Sequence, residues 1–137
     1  MKVVPELLCV DLDVTRAFYE DVLGFSVKYE RPDERFIYFT LNGVDLMCEE
    51  AAGPGRRWVT GELVPPLGRG VNFQWDVEDV ELLYARVRKR RPDSIYLAIE
   101  SQVYVAGHNV IDQRQFIVQD PDGYLFRFCN WQQSSSD

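Results

Sequence analysis

Histidine is nearly absent from this sequence: His108 is the only one in 137 residues. A single histidine in an apparent loop, with thiols on strand faces that take a helix, supports neither a Ser-His-Asp nor a Cys-His nucleophile arrangement. Cysteine is scarce and odd in number. Cys9, Cys48 and Cys129 fall in separate apparent strands without the short spacings of a zinc site. They read as three buried, reduced thiols, which suggests a cytoplasmic protein. Positive charge is in the minority, 15 Lys and Arg against 22 Asp and Glu, and the net charge of −7 argues against a nucleic-acid binder. The one basic run, residues 86–91, reads as the solvated end of a helix, where cations complement the macrodipole. No apolar run is long enough to cross a bilayer, and MKVVPELLCV is too short for a signal peptide and is followed at once by acids, so no membrane partner is expected. The glycines of GPG (53–55) and GRG (68–70) lack the strand-to-helix setting of a phosphate-binding loop.

What is present is a strand and helix pattern that runs twice. Residues 3–10 read as a strand. Asp11 or Asp13 caps a helix running to about Val22, with Val14, Phe18 and Val22 as an apolar stripe and Gly24 as a left-handed cap. Strands follow at about 25–30, 35–41 and 44–49, the last two joined by an Asn42-Gly43 hairpin turn. Residues 51–69 are rich in Gly and Pro and read as a linker. The pattern then restarts with a strand at 70–77 and a helix in which Val80, Leu83, Tyr84 and Val87 share a face, stopped by Pro92. Three more strands are read in SIYLAIE, QRQFIVQ and YLFRF, the last entered through the tight turn Asp120-Pro121-Asp122-Gly123. Residues 101–112 read as an irregular connection, and 131–137 as a polar, frayed tail.

The two halves also echo each other in sequence. Asp11-Leu12-Asp13-Val14 with Ala17 matches Asp79-Val80-Glu81-Leu82 with Ala85 at an offset of 68, which argues for an internal duplication. The expected fold class is α+β: a single domain, 1–137, of two βαβββ modules (about 1–50 and 70–130) forming a curled mixed sheet around a cavity, with the helices outside. Strand alternation then assigns the faces. Val71, Phe73, Trp75 and Val77 take the helix, which leaves Asn72 and Gln74 on the concave side. Glu6, Met47 and Glu49 join them, as does Arg127, opposite Phe126 and Phe128. Such a set is not a dry core, because buried charges are costly unless paired. Arg127 either pairs with Glu6 or Glu49 as a structural ion pair or meets a polar ligand. Trp58 in the linker and Tyr104 in the irregular connection are further candidates for lining the site.

The segments PELLCVDLDVTRAFYEDVLGF, RFIYFTLNGVDLMCEE, GRGVNFQWDVEDVELLYARV and QRQFIVQDPDGYLFRF together resemble the vicinal oxygen chelate superfamily, the glyoxalase, bleomycin-resistance and extradiol dioxygenase group, over nearly the whole chain. The resemblance implies the paired-module fold and a homodimer. Metal-dependent members hold a divalent ion through one His, Gln or Glu from each of four strands. Carried over, those positions fall on Val4, Met47, Asn72 and Arg127. Valine cannot coordinate, a thioether prefers soft metals, a neutral Asn is a weak ligand and a guanidinium repels a cation, so neither metal nor cofactor is expected. The chain resembles most the bleomycin-resistance-like branch, whose members bind and sequester a drug.

The expected function is therefore sequestration of a small molecule, with a cationic one as first candidate given the acidic total. Glu6, Met47, Glu49, Trp58, Asn72, Gln74, Tyr104 and Arg127 are the expected contacts, and no residue is assigned a catalytic role. Two alternatives stand beside it. One is a metal-dependent lyase, isomerase or dioxygenase with a displaced ligand set drawn from Glu6, Glu49 and His108. The other is a non-catalytic interaction domain with a vestigial pocket.

Overall fold

Asp11 and Asp79, which the offset of 68 superimposes, play the same part in the structure, a computed structural model that describes residues 1–135. Asp11 Oδ1 accepts from the backbone N–H of Asp13 (2.9 Å) and Val14 (3.3 Å) and opens helix α1, Leu12–Ala17. Asp79 Oδ1 accepts from the N–H of Leu82 (3.0 Å) and opens α2, Val80–Arg90. These caps satisfy donors that have no partner within a first helical turn. The apolar residue that follows each cap, Leu12 or Val80, is buried. The chain divides into two compact units, residues 1–67 and Gly68 onward.

In the first unit, β1 (Glu6–Cys9), β2 (Ser26–Arg31), β3 (Phe36–Leu41) and β4 (Val44–Glu50) form a mixed sheet of order β1-β4-β3-β2. β1 runs parallel to β4, and the other pairs are antiparallel. The turn between β3 and β4 is Asn42-Gly43, both at positive φ (50° and 82°), as a tight hairpin requires. The helix stripe differs from expectation. Val14 is exposed, and after Ala17 the backbone widens into a π-helical stretch, Phe18–Leu23, closed by Gly24 at φ 85°. The smaller rotation per residue draws Phe18, Tyr19, Val22 and Leu23 into a narrower arc, and all four are buried. Tyr19 stacks on Phe39 at 5.3 Å between centroids, with Phe25 edge-on to it at 5.5 Å. Leu7, Cys9, Ile37, Leu46 and Cys48 complete this core face.

The second unit repeats the plan with β5 (Asn72–Asp76), β6 (Ile95–Ala106), β7 (Asn109–Gln119) and β8 (Leu125–Ser135), in the order β5-β8-β7-β6. β5 is parallel to β8. Trp75, Phe116, Val118, Phe126 and Phe128 are buried on the α2 side, and Tyr84 lies edge-on to Phe116 at 5.0 Å. The Asp120–Gly123 turn is held by one side chain: Asp120 Oδ1 accepts from the N–H groups of Asp122, Gly123 and Tyr124, each at 2.9 Å.

Two expectations fail in this unit. Residues 101–112 are not an irregular connection; they form the outer half of the β6–β7 hairpin, turning at Gly107. The tail is also structured as far as Ser135, because β8 continues and pairs with β7 out to Asn109. A ladder is made by backbone groups, so a polar segment can join it without any apolar signal. Residues 136 and 137 lie outside the described residues. Among the described residues, no helix is long and apolar enough to cross a membrane.

Candidate ligand-facing surfaces

The face of the first sheet turned away from α1 carries Glu6 from β1, Tyr38 from β3, and Asp45, Met47 and Glu49 from β4. Glu6 lies opposite Met47, and Met47 opposite Tyr38. Glu6, Met47 and Glu49 therefore share a face, as strand alternation requires. Glu49, however, is already occupied. It is 8% exposed, and its Oε1 pairs with Arg57 Nε at 3.0 Å. Arg57 also donates to the carbonyls of Glu34, Glu50 and Pro54, so the chain after β4 is tied back to its own unit. Burial raises the Glu49 pKa and the Glu6 carboxylate adds to the shift, while Arg57 opposes it.

The neighbouring acids are committed as well. Glu50 accepts from Arg35 Nη2 at 2.9 Å and from the N–H of Leu12 at 3.0 Å, which holds its pKa down and makes it part of the α1 cap. Asp45 is buried against Lys2, and the Tyr38 hydroxyl donates to it at 2.6 Å; these partners hold its carboxyl well below the usual carboxylate range. Trp58 is 72% exposed, with the Arg56 guanidinium 5.1 Å from its ring centroid.

In the second sheet, the face turned away from α2 mixes polar and apolar side chains, exposed along β5 and buried at Cys129, Gln113 and Gln115. β5 contributes Asn72, Gln74 and Asp76, and β8 contributes Leu125, Arg127 and Cys129, paired in that order, so Cys129, unlike Cys9 and Cys48, does not take the helix as expected. Arg127 lies between Gln74 and Ile117 of β7. Its Nε is buried and has no hydrogen-bond partner among the described residues. Such a donor costs about 1–3 kcal/mol while it stays unpaired. Gln74 Nε2 donates to Asp76 Oδ1 at 3.2 Å, and the Cys129 thiol donates to the same oxygen at 3.5 Å. Burial, reinforced by Asp76, pushes the Cys129 thiol up to about 12.

Further along this face, Gln113 Nε2 donates to Gln115 Oε1 (2.7 Å), and Gln115 Nε2 donates to Glu100 Oε1 (3.0 Å) and to the Tyr104 hydroxyl (3.4 Å). Tyr104 is thus on a strand beside this network, not in a loop. Asn72 is exposed at the start of β5. The sequence reading passed over Gln113, Gln115, Asp76 and Glu100. The spacing of Gln113 and Gln115, alternating with Arg114 and Phe116, was the signal for two of them. Arg57, in an aperiodic Gly- and Pro-rich stretch, gave none.

The register shows what lies beside the carried-over metal positions. Val4 lies before β1, and the partner of Met47 is Glu6; the partner of Arg127 is Gln74, while Asn72 faces Leu125. The equivalent positions of the two modules are thus Glu6 and Gln74, and Met47 and Arg127. Glu6 and Gln74 offer oxygen donors, but the thioether and the guanidinium are poor partners for a hard or borderline divalent ion. The residues present do not fit the metal of the metal-dependent members. Among the described residues, no three His, Cys, Asp or Glu side chains form a group that could hold an ion.

The sequence model of the Glyoxalase/Bleomycin resistance protein/Dioxygenase superfamily matches residues 4–128. A superfamily member from Vibrio splendidus 12B01 is 54% identical, covering 93% of this chain and 95% of its own, with a TM-score of 0.45. TioX from Micromonospora sp. ML1 is 20% identical over 95% of this chain and 98% of its own, with a TM-score of 0.67. A virulence protein from Salmonella typhimurium is 15% identical over 95% of this chain and 94% of its own, with a TM-score of 0.69. The last two share the fold. No curated protein matches the chain.

Proposed function

The chain belongs to the Glyoxalase/Bleomycin resistance protein/Dioxygenase superfamily, and from that premise we propose that it holds a small molecule without transforming it, acting by sequestration. The observation that carries this reading is Arg127. A guanidinium stands on the sheet face at a position where a metal-dependent member would need a ligand, and its buried Nε–H lacks an acceptor. A ligand oxygen accepting from that group recovers the desolvation cost through a charge-assisted bond. Asn72, Gln74, Gln113 and Gln115 supply the amides that orient a polar ligand. Nucleophilic chemistry has little support, because the three thiols are buried and that of Cys129 is held protonated. Free, buried thiols are in keeping with the cytoplasmic location that the composition suggests.

The acidic surplus favours a cationic drug, and Glu6 remains exposed. With Glu49 committed to Arg57 and Glu50 to Arg35, the free acidic cluster is smaller than the sequence suggests. We therefore rank a polar ligand rich in acceptor oxygens ahead of a strongly cationic one. The test is a thermal-shift titration with bleomycin and a panel of polar antibiotics and carboxylates. A binder at a hundred times its Kd stabilises by about 2.7 kcal/mol. At least one compound should raise Tm and be recovered unchanged, and Arg127→Ala should lose most of that shift while still melting cooperatively. Turnover of the compound, or equal shifts in both proteins, contradicts the proposal.

A further inference from the structure

Gln74 is the β5 residue directly opposite Arg127, yet among the described residues no hydrogen bond joins the two side chains. Gln74 turns instead along its own strand and donates from Nε2 to Asp76 Oδ1 at 3.2 Å. An ionised carboxylate accepts and cannot donate, so the nitrogen of the Gln74 amide is the end that meets Asp76. The other end, Oε1, is left as an acceptor on the strand that pairs with Arg127. Asp76 is itself held in place. The buried Cys129 thiol, its direct partner on β8, donates to the same Oδ1 at 3.5 Å. Asp76 and Arg127 act on that thiol in opposite senses, so one anion and one cation both stand beside it.

We propose that the ligand group recognised here is a neutral amide: its C=O accepts from Arg127 Nε, its N–H donates to Gln74 Oε1, and Asp76 sets that polarity. The inference rests on the reading of Arg127 as a ligand contact. Paired strands stand about 4.8 Å apart, so a donor and an acceptor on directly opposite residues can meet the two edges of one carboxamide, lactam or ureide. A carboxylate fits less well. Its first oxygen accepts from Arg127, but its second faces the lone pairs of Gln74 Oε1, and Asp76 adds a like charge. With one cation and one anion beside the site, an anionic ligand gains little over a neutral one. A site that leaves a polar group mismatched discriminates against that ligand sharply. Asp76 is thus a positioning residue, acting through Gln74.

The experiment is titration of the full chain at neutral pH with benzamide against benzoate, and with nicotinamide against nicotinate, followed by nuclear magnetic resonance. The parent should bind each amide at least about tenfold more tightly than its carboxylate. Asp76→Asn offers Gln74 both a donor and an acceptor and removes the negative charge, so the preference should narrow at least about fivefold, chiefly through tighter carboxylate binding. That quantity is a ratio within one protein, and a general loss of stability does not move it. Arg127→Ala should lose both members of each pair. A parent that takes the carboxylate equally well, a preference that persists in Asp76→Asn, or no binding of either amide overturns the inference. The sequestration reading fails separately, on the antibiotic panel: a carboxylate held unchanged through Arg127 leaves that reading standing and removes this one.

Discussion

Replacing Arg57 with alanine probes the ion pair that occupies an expected ligand contact. The side chains of Arg57 and Glu49 are only 10% and 11% exposed. Removing one partner of a buried pair strands the other and usually costs about 3–5 kcal/mol. Here Glu49 can escape by protonation. For a carboxyl of ordinary value 4.5, neutralisation costs about 1.4 kcal/mol per pH unit above that value, so the penalty at pH 7 is capped at about 3.4 kcal/mol. The carbonyls that Arg57 releases regain water, adding about 1 kcal/mol in total. A loss of about 3–4 kcal/mol corresponds to a Tm lower by about 10 °C in a chain of this size.

The pH dependence carries the sharper test. The folded pKa of Glu49 is raised, so the native state binds its proton more readily than the unfolded chain and loses stability as pH climbs from 4.5 through the folded value. Without Arg57, which opposes the shift, that window extends higher. At pH 5 the protonation cap falls to about 0.7 kcal/mol, so the gap between variant and parent should shrink by about half. Adding Glu49→Gln to the alanine variant should restore most of the stability at pH 7 and abolish the extra pH dependence. Circular-dichroism melts of parent, single and double variants at the two pH values decide it. A gap of equal size at both, or a double variant no better than Arg57→Ala, would refute the assignment of a buried ion pair.

Other consequences are quicker to check. Asp120→Ala removes three backbone hydrogen bonds to a buried carboxylate and should cost about 3 kcal/mol in urea titration, with Asp120→Asn losing less. Gly68→Ala meets both a φ of 72° and the ring of Tyr124, and should lower stability by about 1–2 kcal/mol. The three thiols should react with a disulfide reagent at pH 8 at least about 100-fold more slowly in the native protein than in denaturant, since each is buried. Fast native labelling of Cys129 would contradict the burial that raises its pKa.

Much of the fold is written locally. The Asn42-Gly43 turn, the capping aspartates and the alternation that opposes Arg127 to Phe126 and Phe128 all act over a few residues, and all appear in the structure. The faces carrying Glu6, Met47 and Glu49, and Asn72, Gln74 and Arg127, follow from the same period of two. The misreadings share a different cause. The π-helical stretch sets Tyr19 on Phe39, a contact with a distant strand that its own sequence does not report. Strand 101–106 and the end of β8 are held by backbone pairing along a hairpin whose side chains carry no apolar alternation. Glu49 is expected either to pair with Arg127 or to meet a ligand; its actual partner Arg57 arrives from an aperiodic loop, and no period in a sequence reports such a contact. Val4 lies before β1 and Glu6 is the residue paired with Met47, a pairing that only the β1–β4 ladder supplies.

Met47 and Arg127 take equivalent places in the two modules, and both are wrong for a divalent ion. That pair is the centre of the account, and elemental analysis tests it directly. The untagged protein is measured as purified, then again after soaking in nickel, zinc, manganese and iron(II) followed by desalting. The account predicts that no metal is retained above trace. Retention of about one ion per chain, lost on Glu49→Ala, would contradict it and point to a catalytic metal with displaced ligands.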